Sequence, residues 1–146
     1  MKKSSILILV FFITLVSFSQ TQPKDKAELF FKEFKENGSS VALDNLYNSN
    51  KWISRSGDAL IQLKSQMEAL NEDYVGKYYG EELMFQKKLT DSYVLLSYLV
   101  KYDRQPLRFT FHFYKPDDKW VIYSFKFDAS IGEEIEESAK LYNFRL

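Results

Sequence analysis

From Tyr74 onward the apolar positions of this chain recur every second residue for more than fifty residues, whereas before it they recur three and four apart. The alternation is clearest from Leu107 to Asp128. Phe109, Phe111 and Phe113 alternate with Arg108, Thr110, His112 and Tyr114; Val121, Tyr123, Phe125 and Phe127 alternate with Trp120, Ile122, Ser124 and Lys126. Lys115 to Lys119 holds Pro116, Asp117 and Asp118, residues that preset φ or hydrogen-bond the local backbone, so the stretch reads as a β-hairpin. Keeping the phenylalanines on one face pairs Phe113 with Val121, Phe111 with Tyr123 and Phe109 with Phe125. It leaves Tyr114, Trp120, His112, Ile122, Arg108 and Lys126 on the reverse. Turns near Thr90-Asp91 and Asp103 to Pro106 extend the hairpin into a meander of about four antiparallel strands. With Tyr102 opposite Leu107 and Leu89 opposite Ser92, Leu96, Tyr98, Val100, Leu83 and Phe85 join the same apolar wall.

The helical half divides into three. Pro23 suits a first helical turn, Ala27, Phe30, Phe31 and Phe34 follow at helical spacing, and Gly38 stops the run. Ser39 or Ser40 caps a second helix carrying Ala42, Leu43, Leu46 and Tyr47. Ser56 or Asp58 caps a third with Leu60, Leu63, Met67 and Leu70 on one stripe, ended by Asn71, Glu72 and Asp73. Between these two, Trp52 stands in a short polar connection and is expected to plug one end of the core, a pocket lid being the alternative. After the sheet, Ser130 and Glu133 form a capping box opening a short helix with Ile131, Ile135, Ala139 and Tyr142 on its apolar stripe. Glu134, Glu136 and Glu137 near its start, and Lys140 and Arg145 near its end, complement the helix dipole. The fold class is therefore α+β: N-terminal helices packed on a curved antiparallel meander, with a short C-terminal helix.

Composition changes the picture at the N-terminus. Lys2 and Lys3, the apolar run Ile6 to Val16 and Ser17-Phe18-Ser19 read as a signal peptide over residues 1–19, leaving one domain over 20–146 and a protein exported to the periplasm or secreted, with no stable membrane anchor after cleavage. There are no cysteines, so neither disulfides nor thiolate chemistry is available. Cleavage removes two of the twenty basic side chains against twenty acidic ones, a net charge of −2 that does not suit a nucleic-acid binder. One histidine without cysteine argues against a transition-metal site, and no glycine-rich phosphate loop or nucleophile motif is present, so no metal or cofactor is expected.

Helices, then a curved sheet, then a terminal helix is an order of elements that resembles the cone-shaped NTF2-like superfamily over Lys24 to Tyr142. Tyr102-Asp103-Arg104-Gln105-Pro106-Leu107-Arg108-Phe109, and Tyr114-Lys115-Pro116 through Trp120, are similar to a strand-turn-strand pattern of its uncharacterised exported branch of Bacteroidetes type. The resemblance implies a pocket where the helices cover the concave face, without supplying its ligand. Enzymes of this superfamily, such as ketosteroid isomerase and SnoaL-like cyclases, need an acid or base within the pocket. No Asp or His can be placed on the inward face of the last three strands, and His112 points outward.

Two functions are then expected in order. The first is a non-catalytic module binding a small apolar or aromatic ligand, with Tyr79, Tyr98, Tyr102 and Tyr123 inward and Trp52 and Tyr47 near the mouth. The second is an enzyme of isomerase, cyclase or dehydratase type, using pocket tyrosines with a helix-borne carboxylate, Asp44 or Asp58. On the outer face Lys101, Arg108 and Lys126 fall side by side, inviting an anion or an acidic partner unless Glu82, diagonal to Lys101, neutralises the row. Leu95, Leu99, Tyr114, Trp120 and Ile122 make that face unusually apolar. The resemblance implies a symmetric homodimer through it, anchored on Trp120 and Tyr114.

Overall fold

The signals that open the first helix act where their chemistry places them, whereas Ser39 and Ser40 lie inside the second helix, whose N-cap is Gly38 with no side-chain cap bond, and Asp58 lies in the first turn of the third rather than before it. Pro23 occupies the first turn of α1 (Pro23–Asn37), and the Asp25 carboxylate accepts the Gln22 N–H at 2.9 Å, meeting one donor that the helix leaves free. Then come α2 (Ser39–Tyr47), α3 (Gly57–Glu68), α4 (Glu72–Val75), β1 (Tyr78–Thr90), β2 (Tyr93–Tyr102), β3 (Leu107–Tyr114), β4 (Val121–Asp128) and α5 (Ile131–Asn143). This computed structural model describes residues 21–53 and 57–143. The expected leader, Ser56 as a cap and Arg145 lie outside the described residues, as do the side chains of Glu134, Ala139 and Tyr142. Among the described residues no helix is long and apolar enough to cross a membrane.

The class is α+β, as the periodicities require: helices first, then an open antiparallel sheet in the order β1-β2-β3-β4, then a terminal helix. Phe30 and Phe31 of α1 press into the sheet. Phe30 lies 5.2 Å from both Phe111 and Phe125, and Phe31 lies 4.9 Å from Tyr98, ring centre to ring centre. With Phe109, Phe113, Val94, Leu96 and Val100 these rings form a buried aromatic wall. Burying a phenylalanine side chain stabilises by about 1.5–3 kcal/mol, and edge-to-face or offset ring pairs add about 0.5–1.5 kcal/mol. Met67, Leu60, Leu63 and Leu70 close the helical side, as their spacing predicts.

Strand pairing departs from the expected register in two ways. Leu107 pairs with Val100 rather than Tyr102, a shift of two that leaves every side chain on its expected face. Elsewhere the edge strands carry an extra residue. β1 bulges at Tyr79, Met84 and Leu89, and β4 at Tyr123. Each bulge exchanges the faces beyond it. Leu83 therefore pairs with Tyr98 as expected but stays 40 % exposed at the sheet edge rather than joining the wall, and Phe85 meets Ser97 on the outer face. Below the β4 bulge Phe125 and Phe127 meet Phe111 and Phe109; above it Trp120 and Ile122, expected outside, are buried, while Tyr123, expected inside, is 57 % exposed. Indole and isoleucine gain more from burial than a tyrosine whose hydroxyl stays wet.

Two further expectations are corrected. Asn71, Glu72 and Asp73 do not merely end α3: the Asn71 side chain accepts the Tyr74 N–H at 3.1 Å and starts the single turn α4, so the sheet begins at Tyr78. That turn closes on Gly76, where φ is +82° and a Cβ would fall 2.5 Å from the Asp103 Cβ, so a side chain is excluded. Trp52 is not a plug. It is 68 % exposed beside Lys51, and the neighbouring residues do the docking: Asn50 donates to the Ile122 carbonyl at 2.7 Å, and Ser49 Oγ accepts the Ile122 N–H at 3.1 Å.

Candidate functional site

The aromatic wall fills the centre of the fold, so the available space lies at its edge. The bulge at Tyr79, with Gly80 at φ +111°, bends the start of β1 beside α1 and opens a groove of about 700 Å³ between them. α1 contributes Glu28, Phe31, Lys32, Lys35 and Glu36; the other wall is Lys77, Tyr78, Tyr79, Gly80 and Glu81. Tyr78 pairs with Tyr102 and Glu81 with Val100, both buried positions, so Tyr78 and Glu81 face the interior.

At the groove's inner end the tyrosines form a chain. Tyr78 packs edge-on against Tyr102 at 5.7 Å and donates its hydroxyl hydrogen bond to the Glu81 carboxylate. Burial, then this bond and the Glu81 charge, raise the Tyr78 pKa well above the ordinary value. Tyr98 lies behind Phe31, only 4 % exposed, and its hydroxyl has no hydrogen-bond partner among the described residues. Its pKa is pushed up to about 12, first by burial and then by the charges of Glu28 and Glu81, both on the groove wall. The Tyr102 hydroxyl is likewise unpartnered, and burial pushes it up to about 12. Both phenols are therefore neutral donors at neutral pH.

Of the six tyrosine and tryptophan candidates, the structure brings three to this end: Tyr79 on the rim with Lys77 Nζ 5.7 Å from its ring centre, Tyr98 behind the wall, and Tyr102 against Tyr78. The others are elsewhere. Tyr47 accepts the Phe125 N–H at 3.2 Å, and burial raises its pKa against the lowering effect of that bond. Tyr123 sits outside against Tyr93, and Trp52 stands clear of the groove. Tyr78, Glu28 and Glu81 are additions. The alternation that turns Leu83 inward passes through Glu81, so this carboxylate was readable; the exchange of Tyr79 for Tyr78 depends on the bulge and was not.

The two helix-borne aspartates expected as bases do not reach the groove. Asp44 pairs with Lys64 at 2.5 Å, and Asp58 is exposed at the start of α3. The outer-face cations are held within the chain: Lys101 bonds Glu82 at 2.6 Å, and Arg108 grips Asp128 through Nε at 3.1 Å and Nη2 at 2.9 Å. Lys126 lies opposite Thr110 rather than Arg108, so the expected row of three does not form. Its charge instead adds to burial in lowering the pKa of His112, which shares a 2.9 Å hydrogen bond with the Tyr93 hydroxyl on the outer face. Leu95, Leu99 and Tyr114 remain outside; without Trp120 and Ile122 the expected dimer surface loses an anchor and its neighbour. A search of family models, curated proteins and solved structures finds no match for this chain.

Proposed function

We propose that the chain is a non-catalytic NTF2-like binding domain, exported through its leader, whose ligand is a small molecule with an aromatic or apolar body held in the groove between α1 and β1. One observation carries this reading. A groove of about 700 Å³ is walled by the Phe31, Tyr78 and Tyr79 side chains, with the buried Tyr98 ring packed behind Phe31. Covering the accessible part of those rings is what a ligand with an aromatic or apolar body gains there. The superfamily assignment is supported by the order of elements and the quoted turn motifs; export is supported by the charge and hydropathy pattern of residues 1–19. The enzyme alternative built on Asp44 or Asp58 lacks support, because neither lines the groove.

Ligand-observed NMR with a panel of small aromatic molecules tests the proposal, alongside native mass spectrometry of protein purified from several hosts. Binding that shifts Phe31 and Tyr78 resonances and weakens in Tyr79→Ala is the expected result. Bare protein mass from every host, with no member of the panel binding, overturns it.

A further inference from the structure

Resting on that reading, we infer that the groove selects an organic cation: an ammonium group on an aromatic or apolar body, seated against Glu81 beside the ring of Tyr79. Position separates the charges that line the groove. Lys32, Lys35 and Lys77 are all exposed, whereas Glu81 is half-buried on the inward face of β1. Glu81 accepts from Tyr78, and no lysine or arginine among the described residues forms an ion pair with it. A partly desolvated carboxylate without a cation is costly, and a cationic ligand removes that cost.

The acceptor and the ring beside it agree with the same ligand. An ammonium brings donors only, and the Glu81 carboxylate, which accepts one bond from Tyr78, has lone pairs left to accept another. The exposed ring of Tyr79 already holds the Lys77 ammonium 5.7 Å from its centre, the kind of contact an ammonium ligand makes. Glu28, on the opposite wall, adds to the negative potential that Glu81 sets at Tyr98, being itself only loosely paired with Lys24 at 3.6 Å. An anionic ligand would meet the Glu81 carboxylate at the inner end and find its lysines only on the exposed rim.

The test titrates the purified protein with three probes of one shape: phenethylamine, 2-phenylethanol and phenylacetate, at low and high salt, followed by chemical shifts of the groove residues. Phenethylamine is expected to bind about tenfold tighter than the alcohol, phenylacetate weakest, with the preference shrinking at high salt. Glu81→Gln keeps an acceptor for Tyr78 and is expected to bring the affinities for phenethylamine and 2-phenylethanol together. Glu28→Gln, on the exposed face of α1, reports on the same field without touching the sheet, and is expected to halve the preference or more. If amine and alcohol bind the groove equally and neither variant matters, the cation inference is overturned while the groove remains a binding site. If no probe shifts Phe31, Tyr78 or Tyr79, the binding reading falls with it.

Discussion

Replacing tyrosine by phenylalanine at two buried positions of this protein is expected to change stability in opposite directions. At Tyr98 the ring packs against Phe31 at 4.9 Å and Phe111 at 5.8 Å, contacts that phenylalanine keeps, while the hydroxyl it loses has no partner among the described residues. An unsatisfied buried hydroxyl costs about 1–3 kcal/mol, so Tyr98→Phe should stabilise the free protein by about 1–2 kcal/mol, raising Tm by about 3–6 °C. At Tyr47 the hydroxyl accepts the Phe125 N–H at 3.2 Å, on an edge strand with no further strand to supply an acceptor. Tyr47→Phe leaves that donor unmet and should cost about 1–2 kcal/mol. Urea melts of both variants, followed by circular dichroism with m held to the parent value, measure the two differences on one scale. A loss of stability in Tyr98→Phe would refute the argument: it would mean that the hydroxyl is satisfied in the free protein.

Three other outcomes follow from the same geometry. Tyr98 and Tyr102 hold their protons to about pH 12 in the folded chain but to about 10 when unfolded, so the folded state binds more protons between those values and stability falls as pH rises from 10 to 12. The Tyr98→Phe/Tyr102→Phe variant should show a shallower fall in alkaline urea melts. His112, the sole histidine, should titrate below 6.5 by NMR because burial and then Lys126 disfavour its charge, and Lys126→Gln should raise the midpoint. Folding is then weakened as pH drops below 6.5, the unfolded histidine binding the proton more readily. Asn50→Ala removes the 2.7 Å bond to the Ile122 carbonyl and should cost about 1 kcal/mol by chemical denaturation, whereas Trp52→Ala beside it should change stability by less than about 0.5 kcal/mol.

What the sequence made legible is what survives a shift of two residues. The period of two along Phe109, Phe111 and Phe113 set their face, and an even slip against β2 could not disturb it. The helix stripes were equally safe, because Phe30, Leu43 and Met67 need only a period of 3.6 to find the core. The bulges were not legible. Whether Tyr123 or Ile122 turns inward depends on how the connection 115–120 brings Trp120 into the core, and on Ser49 and Asn50, more than seventy residues away, holding Ile122 from the side. No local pattern encodes a contact that distant. The candidate site divides the same way: Tyr98 and Tyr102 lie on β2, whose pairing with β3 carries no bulge, whereas Tyr79, Tyr123 and Trp52 lie on bulged strands or a loop.

The two edges of the sheet show why a site arises at one and not the other. An edge strand exposes unpaired backbone groups, and this chain handles them in different ways. At β4, side chains from α2 and its following turn meet the backbone directly, Tyr47 at Phe125 and Ser49 with Asn50 at Ile122, so helix and strand are drawn together and the space between them is filled. At β1, bulges at Tyr79, Met84 and Leu89 bend and twist the strand, and Lys87 and Lys88 set charge along its far end. Bending the strand next to α1 leaves a groove, and it turns Tyr78 inward against Tyr102, beside Glu81, where a straight strand would have offered Tyr79. The device that protects the edge from pairing is thus the one that sets a phenol against the carboxylate at the inner end of an open groove.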